Sequence, residues 1–562
     1  MLRSLRPPRG LGSIASLDRV HFASFDLRDP VFEAYGFAFS VQVVTLENVY
    51  GIDPSQTSAR EENGAFAVHA AGLTWAGGSE RASGAVVLRV RPEGPGRVRL
   101  RVTLRAKAPE PIRCTKLLLR GLGTPLAWVE DAGDRPVGPF GECLAYPNRL
   151  GAPLVCVRAG TDVIGARFED TRVREKRFAL ATERVGDRAG QGALELIHED
   201  DATRFARESE APPVVITRGA TCDALVTEHE AYARDTYGLR RWEERTDVPS
   251  WARDLRLVTT LHGMHWTGRV LLDYAGMREA LRFVTDRLPG RHVLAYVPGW
   301  EGRYYWQYGE YRPDPRLGGE AGFAALCDFA RDRGAHVMPM FGGNCVNKWL
   351  PRFRDLDPAA VLKSATGNRF HGNQPDWDFS RAHDTGWQAW LNPGHPAWCD
   401  DLAGQIEKLA ARYGFDGVFL DTIHVFVNDP DHSVHDGIRT LVQRLRRNVP
   451  GVLLAAEHDY DALLPLFPLF QRAYWGTDPA WTGRYAQRFA HLCEGEPEGR
   501  TGVHEFGVWR TAGARDPWEP APGVLPTLAF QDDTLVRSQE RIVAVIERIR
   551  SDASFPRGGG AT

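Results

Sequence analysis

The sequence predicts an N-terminal antiparallel β-sandwich followed by a (β/α)8 TIM barrel, and three observations carry that fold class. Apolar residues recur with period two in the first part, strand-like and helix-like segments alternate in the second, and the strand-like segments of the second part end on polar residues. The expected boundaries are 1–235 for the sandwich, 236–252 for a linker, 253–552 for the barrel and 553–562 for a flexible tail. At 562 residues the chain exceeds one ordinary core, and a barrel absorbs roughly 250 of them.

In the first part, "RVRLRVTLR" (97–105) sets Val98, Leu100, Val102 and Leu104 on one face and arginines on the other, as a strand with one wet face requires. The basic face is read as solvated and is given no function. Further strands are expected in "YGFAFSVQVVTL", "GAFAVHAAGLTWA", "SGAVVLRV", "TKLLLRGL", "APLVCVRAG" and "VIGARFED", separated by Gly, Pro and Asp turn signals. Many short strands with little helical period imply two packed sheets. "HEAYARDTYGLRRWEERTDVPSWARDL" then reads as a helix leading to a Pro-marked boundary.

In the second part eight strand positions are expected: "RLVTTLH", "RHVLAYVPG", "AHVMPMFGG", "FDGVFLD", "GVLLAAEH", "QRAYWG", "GVHEFG" and "LPTLAF". Helices are expected between them, including "DYDALLPLF" after the fifth strand and "RYAQRFAHLC" after the sixth. In the fourth helix Ile438, Leu441, Val442 and Leu445 fall at i, i+3, i+4 and i+7, the stripe of a helix packed on a sheet. No Gly-rich dinucleotide turn is present, which favours a barrel over an open doubly wound sheet.

Composition narrows the function. With 43% hydrophobic and 25% charged residues and a net charge of −3, neither nucleic acid nor a membrane is an expected partner. Eight scattered cysteines form no CxxC pair, so buried thiols in a reducing, cytoplasmic setting are expected, with no structural zinc. The arginines near the N-terminus are not followed by the apolar run a secretory signal needs. A homo-oligomer is left open.

In a barrel the chemistry sits where strands end. The expected ends bring His262, His265 and Trp266, then Trp300 and Glu301, Asn344, Asp421 and His424, Glu457, His458 and Asp459, Trp475 and Asp478, His504 and Glu505, and Gln531 with Asp532. Asp421 and Glu457 end adjacent strands at equivalent steps, after "GVFL" and "LLAA". Neighbouring strands lie about 4.8 Å apart, so the two carboxyls can approach the ~5 Å separation used in retaining glycoside hydrolysis, one as nucleophile and the other as acid/base. Asp416, earlier on the same strand, is assigned to the strand's start. The second loop, "WEGRYYWQYGEYRP", concentrates Trp300, Tyr304, Tyr305, Trp306, Tyr308 and Tyr311, whose faces suit the CH face of a sugar. The long third loop offers Asp376, Trp377, Asp378 and Trp387 as a substrate-binding cap.

"GFDGVFLDTIH" (414–424) resembles the fourth-strand signature of the α-amylase and related barrel glycosidases, and "LNPGHPAWCDDL" resembles the opening of their third helix. A β-sandwich before the barrel is similar to the endo-α-N-acetylgalactosaminidase-like families, as is "CLAYPNRLGAPLVCV" followed by "VIGARFED". The resemblance implies Asp421 as nucleophile and Glu457 as proton donor, acting on a carbohydrate substrate with no cofactor and no metal. His262, Trp266, Trp300, Glu301, Asn344, His424, His458, Trp475, Asp478, His504 and Glu505 are then expected to bind the sugar. The chain departs from the amylases at Phe419, where they carry an arginine, and at Glu505, where they carry an aspartate.

Two other classes are weighed. His262, His265, Asp421, His424, His458 and His504 could hold a divalent metal, as in an amidohydrolase-like barrel, but the first strand offers H-x-x-H rather than H-x-H. A non-catalytic carbohydrate-binding barrel is the other, although a binding-only site has no need of two close acids.

Overall fold

The computed structural model describes residues 29–94, 98–130, 133–184, 187–265, 268–303, 305–367, 388–472, 480–490 and 524–552. The first part is two antiparallel sheets of nine and ten strands. At the centre of one, Ile112–Leu122 pairs with Phe37–Thr45 and Gly192–Glu199. At the centre of the other, Val98–Lys107 pairs with Ala85–Pro92 and Val214–Arg218. Phe39, Val41, Leu119 and Leu196 from the first sheet and Leu88, Leu100, Val102 and Ile216 from the second share one core. Each such side chain contributes roughly 1.5–3 kcal/mol on burial. The arginine face is occupied by local ion pairs, Arg99 with Glu93 and Glu228, Arg101 with Glu169, and Arg105 with Glu210.

Helix Cys222–Tyr237 follows, capped by Thr221 at its start and by the left-handed Gly238 at its end. Its Leu225 packs with Cys156 of the sandwich, and its Ala233 belongs to the core of the second part.

The second part is a parallel nine-stranded sheet, and its strands Leu257–Leu261, Val293–Val297, Gly417–Asp421 and Leu453–Glu457 are buried throughout. In chain order its members are Leu257–Leu261, Val293–Val297, His336–Gly342, Gly417–Asp421, Leu453–Glu457, Leu469–Arg472, Gln487–Ala490, Val524–Leu525 and Thr527–Phe530. Val524–Leu525 pairs with Gln487–Ala490, and Thr527–Phe530 pairs with the first strand, Leu257–Leu261. Only Pro526 separates these two edge members, so the sheet is nearly closed on itself. Helix Val434–Asn448 buries Ile438, Leu441, Val442 and Leu445, the stripe read from the sequence. Helices Tyr274–Thr285, Gly319–Asp332, Pro396–Tyr413 and Gln539–Ser551 likewise follow strands of the sheet.

The alternation is not eightfold among the described residues. "DYDALLPLF" forms only the turn Asp461–Leu463. Pro465 stands in that stretch and Pro468 directly after it, and a proline interior to a helix removes a hydrogen bond and clashes with the preceding turn. "RYAQRFAHLC", expected as a helix, instead contains strand Gln487–Ala490, which pairs with Leu469–Arg472 and buries Phe489 in the ring core. Sheet pairing here overrides a weak helical spacing. The expected strand "GVHEFG" lies outside the described residues. No helix among the described residues is long and apolar enough to cross a membrane, and none of the seven described cysteines forms a disulfide.

Candidate active site

Strand Gly417–Asp421 runs beside Leu453–Glu457 with Val418 opposite Leu454 and Leu420 opposite Ala456. One step further along both strands stand Asp421 and Glu457. Asp421 is 5% exposed and Glu457 8% exposed, and the two carboxyls act on each other's protonation.

The residue after each acid is turned into the left-handed region, Thr422 at φ 61° and His458 at φ 56°. For a β-branched threonine this backbone is costly and persists only where the surroundings hold it. At Thr422 the turn aims the amide N–H at Glu457 Oε2, 3.0 Å away, and the hydroxyl donates to Asn344 Oδ1 at 2.7 Å. The Gly343 amide in turn donates to the carbonyl of Asp421 at 2.7 Å.

The two acids have unequal surroundings. Burial raises Asp421 above the usual carboxylate range, while the Tyr308 hydroxyl, donating to Oδ2 at 2.5 Å, pulls it back down. Burial raises Glu457 well above the usual range, and the adjacent Asp421 carboxyl raises it further. Of the two, Glu457 is raised further and holds its proton the more tightly. His424 Nδ1 lies 3.5 Å from Glu457 Oε2 and His458 Nε2 lies 3.6 Å from Oε1, with the two rings edge to face at 4.4 Å. Burial pushes His424 down to about 3, so it is a neutral imidazole.

Glu301, just beyond the second strand, is 2% exposed, and among the described residues neither carboxyl oxygen has a hydrogen-bond partner. Burial first, then the charges of Asp421 and Asp314, push it up to about 8. It is thus a neutral acid at pH 7, able to donate as well as accept.

The expected set therefore divides. Asp421, Glu457, Asn344, His424 and His458 converge, with Glu301 beside them. Trp300 does not offer a face to a sugar: it is fully buried, its indole N–H donates to Met340 O at 2.9 Å, and its ring stacks on Phe323. Tyr311 is likewise part of the interior, bonded through its hydroxyl to the backbone of Gly342. A long loop between strand and helix needs its own anchors, and these aromatics supply them. His262 is buried just past the first strand, its amide donating to Phe530 O, and His265 is buried nearby. Trp266, Trp475, Asp478, His504 and Glu505 lie outside the described residues, as do Tyr304, Asp376, Trp377, Asp378 and Trp387. Of the metal set, His424 and His458 together with Glu457 present ligand atoms within 4.8 Å of one another. Asp416 lies at the opposite end of its strand, where its carboxylate meets His336 Nδ1 at 2.9 Å. Sequence reasoning missed Tyr308 as the partner of Asp421, since a tyrosine among six loop aromatics gives no sign of which one turns inward.

The chain resembles solved structures of glycosidases. It matches ligand-free alpha-N-acetylgalactosaminidase NagBb from Bifidobacterium bifidum with a TM-score of 0.62 at 14% identity, over 92% of this chain and 90% of that one. The GalNAc complex of the same protein gives a TM-score of 0.60 at 15% identity, over 93% and 90%. The galactosidase domain of alpha-galactosidase-sucrose kinase AgaSK gives 0.50 at 14% identity, over 97% and 79%. No family model and no curated protein sequence matches. At these identities the likeness is one of architecture: the fold is that of multidomain proteins with antiparallel sheets beside a nearly closed parallel sheet.

Proposed function

We propose that this protein is a glycoside hydrolase acting with retention through Asp421 and Glu457. The observation that carries the reading is the buried carboxyl pair at adjacent strand ends, in which Asp421 accepts the Tyr308 hydroxyl and Glu457 is raised well above the usual range by burial and by Asp421. In the first step an Asp421 oxygen bonds to the anomeric carbon while the bond to the leaving oxygen breaks, and Glu457 gives its proton to that oxygen. In the second step water attacks the anomeric carbon, its proton passes to Glu457, and Asp421 is released. A sugar between the two carboxyls uses the ~5 Å spacing of retaining enzymes. Asn344, His424, His458 and Glu301 supply hydrogen-bonding groups around the ring. We read the parallel sheet as an eight-stave barrel in which Val524–Leu525 and Thr527–Phe530 form one stave broken at Pro526.

The names of the similar structures suggest an α-linked galactose or N-acetylgalactosamine as substrate. The test is hydrolysis of p-nitrophenyl α-N-acetylgalactosaminide and p-nitrophenyl α-galactoside beside their β anomers. Activity on one of them, lost in both Asp421→Asn and Glu457→Gln with the fold intact, supports the reading. Full activity in either variant removes it.

A further inference from the structure

We propose that the sandwich segment Tyr146–Gly151 is a positioning element of the catalytic centre, holding the two loops that follow Asp421 and Glu457; this rests on the assignment of those acids above. The Tyr146 hydroxyl donates to Asp461 Oδ1 at 2.7 Å, and the Asp461 amide donates to Gly151 O at 2.7 Å. Asp461 is fully buried and stands four residues beyond Glu457, and its other oxygen is 2.9 Å from His229 Nε2 on the helix that follows the sandwich. Asn148 makes a reciprocal pair with Phe426, five residues beyond Asp421: its Nδ2 donates to Phe426 O at 2.9 Å, and Phe426 N donates to its Oδ1 at 3.0 Å. Two residues later Asn428 donates to Glu199 Oε1 and to Asp200 O and accepts from Ala202 N, at 2.8, 2.7 and 2.8 Å. Leu150 packs against the cores of both parts.

An ordinary interface spreads its polar contacts. Among the described residues most of them fall on the stretches immediately after the two acids, the pairing of Glu230 with Arg484 and Tyr485 lying apart, and the fold gives a reason. The loop after Glu457 runs into no α-helix of its own, only the turn Asp461–Leu463, so the usual packed helix is missing as its anchor. Tyr146 and His229 take that place from outside the sheet. The ring of Tyr146 also meets Tyr460 edge to face at 6.0 Å, and the Tyr460 hydroxyl lies 3.0 Å from His435 Nδ1 on helix Val434–Asn448, which precedes the Glu457 strand. Displacement of an acid by about 1 Å costs on the order of 100-fold in rate, so slack in either loop is expected to appear in turnover before it appears in binding.

The experiment uses the full chain with Asn148→Ala, Asn148→Asp and Tyr146→Phe, read by two measurements. With the p-nitrophenyl α-glycoside that the wild type cleaves, Asn148→Ala and Tyr146→Phe are expected to lower kcat on the order of 10- to 100-fold with KM little changed. The acidic and alkaline limbs of their kcat–pH profiles should move toward each other as the carboxyls separate. Asn148→Asp keeps the acceptor for the Phe426 amide and should recover part of the loss. Hydrogen exchange is expected to quicken in residues 422–430 and 458–464 while Phe37–Thr45 and Ile112–Leu122 stay protected. Wild-type kcat in both variants, unchanged exchange in both loops, or exchange rising through the whole sandwich would each overturn the proposal. A wild type that cleaves neither α-glycoside sinks the glycosidase reading, and the exchange measurement then decides the loop-holding role alone.

Discussion

Replacing Glu301 by glutamine removes a group that can ionise in the unfolded chain but resists ionising in the folded one. The ordinary value is 4.5 and burial lifts it to about 8 in the protein. The sign follows from proton counting: between those two values the folded state binds more protons than the unfolded state, so stability falls as pH rises. The contribution is fully present below about 4.5 and is lost by about 8. Each pH unit in that window costs about 1.4 kcal/mol, so between pH 5 and pH 7.5 the wild type loses about 3 kcal/mol from this side chain alone. Glutamine has nearly the same shape and no charge to suppress. Urea unfolding followed by tryptophan fluorescence, run on both proteins at the two pH values, isolates the effect, because other titrating groups cancel in the difference. Glu301→Gln should gain on the wild type by about 3 kcal/mol from pH 5 to pH 7.5. An equal difference at both pH values would mean that Glu301 is solvated or paired in the folded protein, and the argument for a neutral acid beside Asp421 would fail.

Tyr308→Phe removes the hydroxyl that lowers Asp421, so the acidic limb of kcat/KM should move to higher pH; the lost charge-assisted hydrogen bond is expected to cost on the order of tenfold in rate or more, and an unmoved limb would refute the assignment. In the wild type, activity should fall at low pH as Asp421 gains a proton and at high pH as Glu457 loses one, a bell whose alkaline side stands above the usual carboxylate range; a single sigmoid would contradict the two roles. Activity is expected to survive EDTA, since the mechanism uses only the two acids; loss with EDTA and recovery with zinc would instead assign His424, Glu457 and His458 to a metal.

Much of this was legible in the sequence, for reasons that differ by region. Period-two alternation such as Leu100, Val102 and Leu104 marks a strand because one wet face must be polar, and those three side chains are buried as the pattern implies. The buried stripe Ile438, Leu441, Val442 and Leu445 was readable on the same grounds with the helical period. Asp421 and Glu457 were visible because a carboxylate ending a dry strand is expensive and two at matched steps are more so. The failures come from tertiary choice. Nothing local in "RYAQRFAHLC" says that it will pair with Leu469–Arg472, and the loop aromatics could not be sorted into interior anchors such as Trp300 and the hydrogen-bond partner of Asp421, Tyr308. Contacts across 315 residues, as between Tyr146 and Asp461, leave no pattern in one sequence.

The left-handed turns at Thr422 and His458 explain how dry strands come to deliver acids. A strand that simply ran on would carry Asp421 and Glu457 onward with their neighbours, on alternating faces and with their amides committed to the ladder. Turning the next residue frees one amide from the sheet, and at Thr422 it is spent on Glu457, the acid of the adjacent strand. Glycine would adopt that backbone at lower cost. Threonine adds a hydroxyl that reaches Asn344 on the third loop, so one strained residue ties the third, fourth and fifth strand ends together. With Tyr308 reaching Asp421 from the second loop, four successive strand ends meet on the carboxyl pair. The strain at Thr422 is maintained by those bonds, and its amide lowers Glu457 against the burial and the Asp421 charge that raise it.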